Sequence, residues 1–247
     1  MMAALDLYLD ANATEPLRPA ARQAVLEALD LTGNPSSIHA AGRAARQVLE
    51  QARATIATRF GGRPRDLVFT AGATEANALA LHGLGAGRRI LAGATEHPAI
   101  LKARPGIEIL PVHSDGTLDL AALEAALAVA GPPALVCLMA ANNETGVLHP
   151  LAEAAALCRA HGALLHVDAV QMAGRLPCDV KELGADSLAL SAHKLGGPKG
   201  VGALLLRPGL EPVALLPGGG QERGRRGGTE ALPAIAGFAA AVAALEA

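Results

Sequence analysis

Lys194 lies in the run Ser191-Ala192-His193-Lys194-Leu195-Gly196-Gly197-Pro198, and twenty-six positions before it Asp168 stands in His166-Val167-Asp168-Ala169-Val170-Gln171. A lysine amine condenses with an aldehyde to an imine, and a carboxylate beside a pyridine nitrogen keeps that nitrogen protonated. Those are the two groups a protein supplies to pyridoxal phosphate, so the pair points to electron-sink chemistry. Singly, each has an ordinary reading: most lysines are solvated, and an Asp after an apolar run often caps a helix or forms a turn. Context separates these two. Both follow apolar runs, Ala163 to Val167 and Ser187 to Leu190, that read as buried strands, and open α/β sheets bind ligands at strand C-terminal ends.

Other strand ends carry compatible groups. Gly72-Ala73-Thr74-Glu75-Ala76-Asn77 turns from a strand into a helix and offers unpaired N–H groups to a phosphate. Such a short motif is also what a plain capped helix looks like; Ser191 and His193, as further donors from another strand end, give it weight. His97, in Thr95-Glu96-His97-Pro98, follows a third strand, where an imidazole can lie on a pyridine ring or move protons near neutral pH. A satisfied structural histidine is the default for any one of the eight. Asn142-Asn143-Glu144-Thr145-Gly146 aims side-chain amides at the same rim, though Asn and Gly are ordinary turn residues too. Gln171 is placed to reach a ring hydroxyl.

The elements that must hold these groups follow a regular rhythm. Apolar runs at Leu67–Thr70, Arg89–Ala92, Ile107–Val112, Leu135–Met139, Leu164–Val167, Ser187–Leu190 and Gly202–Leu206 alternate with helical patterns at Glu75–Gly83, Asp119–Ala130 and Leu151–Arg159. This predicts an α/β fold with a mostly parallel sheet flanked by helices. The run Gly202–Leu206 follows its predecessor with little room for a crossover helix, so an antiparallel course is expected there. Before the rhythm come an extended start at Leu7–Asp10 and helical patterns at Arg18–Leu29 and Ile38–Phe60. A last helix is expected over Leu232–Ala247, stopping without a C-cap, which suggests a chain cut short.

Composition narrows the function. Hydrophobic residues make up 51% of 247, enough for a large core, yet there are three Phe, one Tyr and no Trp. Packing must rely on aliphatic side chains and close Ala and Gly contacts, and an aromatic base-stacking platform is excluded. The net charge of −2, with basic residues scattered except for Arg223, Arg225 and Arg226, argues against nucleic acid as a partner. Apolar stretches are strand-length or interrupted, so no membrane contact and a cytoplasmic location are expected. Cys137, Cys158 and Cys178 are odd in number and widely spaced, which fits neither a disulfide framework nor a metal site.

Taken together, the chain resembles the cysteine desulfurase family (NifS/IscS-like), class V, fold-type-I pyridoxal-phosphate enzymes. Eight segments carry the resemblance in family order: Tyr8 to Thr14, Gly33 to His39, the Gly-Ala-Thr-Glu turn, Thr95 to His97, Asn142 to Gly146, His166 to Gln171, Ser191 to Lys194, and Gly218 through Thr229. The resemblance implies that Lys194 forms the imine, Asp168 pairs with the pyridine nitrogen and His97 stacks on the ring. It implies that Asn143 and Gln171 hold the ring's oxygen side, and that Ala73, Thr74, Ser191 and His193 take the phosphate. Thr229 would reach the phosphate of a neighbouring subunit, giving a homodimer with Arg223 to Arg226 at its interface. The implied reaction converts L-cysteine to L-alanine, with sulfur transferred as an enzyme persulfide toward an acceptor or scaffold protein for iron–sulfur cluster or thio-cofactor assembly. The organisation expected is an N-terminal extended segment, 1–15, and a large cofactor domain, 16–247. The small C-terminal domain, with the family's catalytic cysteine loop and substrate-carboxylate arginine, has no counterpart, and none of the three cysteines matches that thiol. A fragment of a longer desulfurase is therefore expected. The alternatives are a related class V lyase or aminotransferase, such as a selenocysteine lyase, and a non-catalytic dimerising partner of the same fold.

Overall fold

The computed structural model describes residues 7–246. All seven apolar runs become strands: β1 (Leu67–Thr70), β2 (Arg89–Gly93), β3 (Ile107–Leu110), β4 (Ala134–Met139), β5 (Leu164–Asp168), β6 (Ser187–Ser191) and β7 (Gly202–Leu206). They form one sheet in the order β1-β7-β6-β5-β4-β2-β3. The block from β3 to β6 is parallel. β7 runs antiparallel to both β6 and β1, as the short connection before it requires.

Six of the strands read as nearly continuous apolar runs because both faces are covered, while the edge strand β3 is partly exposed. The helices are α1 (Pro19–Leu29), α2 (Ala40–Arg59), α3 (Ala73–Leu79), α4 (Pro98–Leu101), α5 (Leu120–Ala128), α6 (Leu151–Ala160) and α7 (Leu232–Ala243). On one face, residues of α2, α5, α6 and α7 pack with Val136, Leu138, Leu165, Val167 and Leu188 of the sheet. On the other, α3 and α4 pack on Val68, Ile90, Leu135, Cys137 and Ala189. Small residues replace aromatics as the means of close packing. At Gly237 in α7, an added Cβ would lie 2.6 Å from the Val25 side chain of α1 and 2.6 Å from Pro198. No helix among the described residues is long and apolar enough to cross a membrane.

Several elements depart from expectation. The strand predicted over Ile107–Val112 stops at Leu110 because Pro111 has no N–H for the ladder; Val112 makes only an isolated bridge to Leu118. The helix predicted over Glu75–Gly83 is α3 followed by a π-helical turn at Ala80–Leu84. There the Gly83 carbonyl accepts from Val213 N–H, and a Cβ on Gly83 would sit 2.5 Å from the Val213 oxygen. The extended start, Leu7–Asp10, pairs with no strand and leads into a turn at 11–13. α7 ends at Ala243, and Ala247 lies outside the described residues.

Candidate active site

A cleft of about 1200 Å³ opens at the C-terminal ends of β1, β2, β4, β5 and β6. Here the chain leaves β2 outward to β3 and returns inward to β4, and such a reversal parts the connecting loops and leaves room for a ligand. Ala73, Thr74, His97, Asn143, Asp168, Gln171, Ser191, His193 and Lys194 all line this cleft. Residues up to 121 positions apart are thus brought together (194 − 73). Thr229 is the exception: it is exposed and lies outside the cleft lining of its own chain.

Asp168 ends β5 and is 7% exposed. Its Oδ2 accepts from Asn77 Nδ2 at 2.7 Å and its Oδ1 from Val170 N–H at 3.0 Å. Burial pushes its pKa above the usual carboxylate range, opposed by those two hydrogen bonds and by the His97 and Lys194 charges. Lys194 closes the 3₁₀ turn Ala192–Lys194 that follows β6. Burial, then the nearby Arg175 charge, lowers its pKa from the ordinary lysine value, while Asp10 and Asp168 act the other way. A lysine so placed is easier to deprotonate, and the free amine is the nucleophile.

Across the cleft, His97 caps α4, its Nδ1 accepting from Ala99 N–H at 3.1 Å, and the side chain is exposed at the rim. The first-turn N–H groups of Ala73 and Thr74 have no acceptor within α3. Beside them, the position of a Cβ on Gly72 has no atom within 4 Å, so open space faces this turn. Ser191, 4% exposed, and His193 approach the same end. His193 Nδ1 is 3.1 Å from Thr14 Oγ1, and burial, then Lys194 and Lys199, lower its pKa.

The model of the family described as "Aminotransferase class-V" matches residues 7–247. The chain belongs to the class-V aminotransferase family. Among its relatives, "Cysteine desulfurase IscS" of Anaeromyxobacter sp. (strain Fw109-5) is 43% identical over 260 residues, covering 98% of this chain and 64% of that protein. The NifS-like protein from Rickettsia africae ESF-5 superposes with a TM-score of 0.91 at 38% identity, over 96% of this chain and 68% of the other. A structure titled "SspA in complex with cysteine" gives a TM-score of 0.90 at 32% identity, over 96% and 72%. The chain thus spans 64% of the length of the curated class-V relative it matches at 43% identity.

Two parts of this class-V site carry no role in the sequence reading. One is the N-terminal segment, which lies against the cleft. The Asn12 carbonyl accepts from Lys194 Nζ and from Gln171 Nε2, the latter at 3.0 Å. Asn12 Nδ2 donates to the Asn143 carbonyl at 3.2 Å, and Arg175 reaches the Ala11 carbonyl at 3.1 Å. The other is a set of buried polar residues behind Asp168, namely Asn77, His166 and Ser187. Asn77 and His166 stand inside motifs named above, but only spacing hints at a role: His166 stands two residues before Asp168 on one strand, hence on the same face.

Cys137 and Cys158 are buried, and Cys178 is partly buried. Burial pushes the Cys158 and Cys178 thiols up to about 12, and that of Cys137 well above its ordinary value. None is a thiolate at neutral pH. No group of three or more His, Cys, Asp or Glu able to hold a metal ion occurs among the described residues.

Proposed function

We propose that the cleft takes pyridoxal phosphate and that the chain carries the cofactor-binding part of a cysteine desulfurase. The observation that carries this reading is the convergence of Asp168 and Lys194 on one cleft, a buried carboxylate at its floor and an amine of lowered pKa at its wall. The residues fit the cofactor's two ends. Asp168 supplies a buried carboxylate for a protonated pyridine nitrogen, while Ala73, Thr74, Ser191 and His193 surround the open space by Gly72 that suits a phosphate. Bound there, the cofactor would serve as an electron sink for the pair left on a substrate α-carbon.

The chain's own side chains then divide the remaining work. Asp168 holds the proton at the pyridine nitrogen; a unit-charge pair ~3 Å apart is worth about 5 kcal/mol at an effective dielectric of about 20, before desolvation. With the cofactor bound, His97 would cover its ring, Asn143 and Gln171 would hold its oxygen side, and the Lys194 amine would accept the substrate's α-proton. With L-cysteine as substrate, a thiol takes the sulfur as a persulfide and L-alanine leaves, which balances as cysteine plus thiol giving alanine plus persulfide. Relatives named as cysteine desulfurases, and the solved relative whose title includes cysteine, support this substrate. That thiol is not Cys137, Cys158 or Cys178, since all three are held protonated. The same reading divides the chain after residue 15 into an N-terminal segment and the cofactor domain of a cytoplasmic homodimer, with exposed Thr229 serving the neighbouring subunit and sulfur passing to an acceptor protein.

Absorption spectroscopy tests the proposal directly. Pyridoxal phosphate added to the chain should give a visible band that is absent in Lys194→Ala and that shifts on adding L-cysteine. A band retained by Lys194→Ala would overturn the assignment of Lys194, and no band in either protein would overturn the cofactor reading for this chain.

A further inference from the structure

Three polar side chains that the proposed chemistry does not use are joined end to end behind Asp168. Ser187 Oγ lies 2.8 Å from His166 Nδ1, His166 Nε2 lies 2.9 Å from Asn77 Oδ1, and Asn77 Nδ2 donates to Asp168 Oδ2 at 2.7 Å. Ser187, His166 and Asn77 are each 0% exposed. Their meeting follows from the elements. His166 and Asp168 share a face of β5 by alternation, the register of β5 and β6 pairs His166 with Ser187, and α3 brings Asn77 onto that face.

With Asp168 ionised, the donors and acceptors fit together in one way. The carboxylate has no proton to give, so Asn77 must face it with its NH₂ group. The Asn77 oxygen is then turned to His166, which must donate from Nε2. A neutral imidazole so protonated has a bare Nδ1, into which the Ser187 hydroxyl donates. Turning the Asn77 amide over would set its oxygen against the carboxylate and its NH₂ against the His166 N–H. That exchanges two hydrogen bonds for two repulsions where no water reaches.

We propose that Ser187, His166 and Asn77 form a positioning relay that holds the Asp168 carboxylate ionised and in one orientation for the cofactor's pyridine nitrogen. The inference rests on the pyridoxal-phosphate reading above. Burial pushes the His166 pKa down to about 3, so the ring stays neutral and keeps one donor and one acceptor through the working pH range. The other groups acting on Asp168 are Val170 N–H, His97, Lys194 and the buried Glu96. None of them fixes the Asn77 amide, so that task falls to His166.

The test is NMR on the labelled chain without cofactor, followed by pyridoxal phosphate binding. In the unsubstituted chain His166 should be the Nε2–H tautomer and should not titrate between pH 5 and 8. The Asp168 side-chain carboxyl should titrate higher in Asn77→Leu and His166→Leu, and close to its original value in His166→Gln, whose amide can still donate to Asn77. Pyridoxal phosphate affinity should fall about tenfold in the Leu variants and recover in His166→Gln, a pattern that a purely structural role would not give. The tautomer is read without any substitution, so a Leu variant that fails to fold leaves the test intact. An Nδ1–H tautomer, a His166 that titrates near neutrality, or an Asp168 titration unmoved by Asn77→Leu would overturn the relay. If the original chain shows no Lys194-dependent band while the NMR pattern holds, the cofactor reading falls and takes the relay's positioning role with it, leaving only the hydrogen-bonded chain to Asp168; a band with the wrong tautomer overturns the relay alone.

Discussion

At the scale of single residues, burial decides which groups are reactive and which are silent. His166 has a folded-state pKa of about 3 against about 6.5 unfolded, so between those values the unfolded chain binds more protons. Its contribution to stability is whole above about pH 6.5 and is lost as pH falls toward about 3, by up to ~1.4 kcal/mol per unit. Urea melts between pH 6.5 and 4 should therefore show a shallower pH slope in His166→Gln; an unchanged slope would mean that the folded ring takes up a proton. The cysteines give a second check. With all three thiols held protonated by burial, a thiol reagent at pH 7.5 should label the native chain slowly and label it fully only after denaturant is added. Lys194 and Asp168 were legible in the sequence because each follows a buried strand at a C-terminal end. Asn77, His166 and Ser187 were not, since their roles depend on which helix covers which strand, and no local pattern carries that pairing.

At the scale of elements, every strand was legible: a strand buried on both faces is a continuous apolar run, and the partly exposed edge strand β3 still alternates Ile107, Glu108 and Ile109. What local patterns could not supply was the close contact between distant segments. Gly202 on β7 shows this: a Cβ there would lie 2.5 Å from the Leu190 carbonyl oxygen and 2.8 Å from Gly72 Cα. Gly202→Ala should therefore displace the turn at Gly72 and cost about 1–3 kcal/mol, read as a lowered denaturation midpoint with weaker phosphate-side binding. The Gly-rich segment after β7 has its own anchor. Glu222, with a φ of 49°, accepts a paired contact from Arg53 of α2 at 2.6 and 2.8 Å and also Phe69 N–H at 2.8 Å. Arg53→Met leaves that carboxylate buried without its partner and should cost about 3–5 kcal/mol, whereas Arg53→Met with Glu222→Leu should recover part of the loss. Equal losses in the single and double variants would show that the pair contributes through packing alone.

At the scale of the molecule, a two-sided α/β sheet with an aliphatic core gathers one working edge from five strand ends. The sequence showed the edge through its separate motifs, and the fold brings nine of the ten expected site residues into one cleft. Thr229 stands apart, on the surface, where only another chain can make use of it in the proposed dimer. The N-terminal segment was legible as the motif Tyr8 to Thr14, but its contacts with Lys194, Gln171 and Arg175 were not, because they run through main-chain carbonyls. A carbonyl has no residue type and leaves no mark in a sequence.

That segment has a consequence for how the protein is made. The Asn12 carbonyl meets Lys194 across 182 positions, and Arg18 meets the Leu195 carbonyl across 177. At a synthesis rate of about 5–20 residues per second, the first of these partners waits roughly 10–40 s for the second to leave the ribosome. During that interval the segment has no place to dock. The amine that completes the cleft is made 182 residues after its carbonyl partner, so the strands and helices between them can fold before the reactive edge closes.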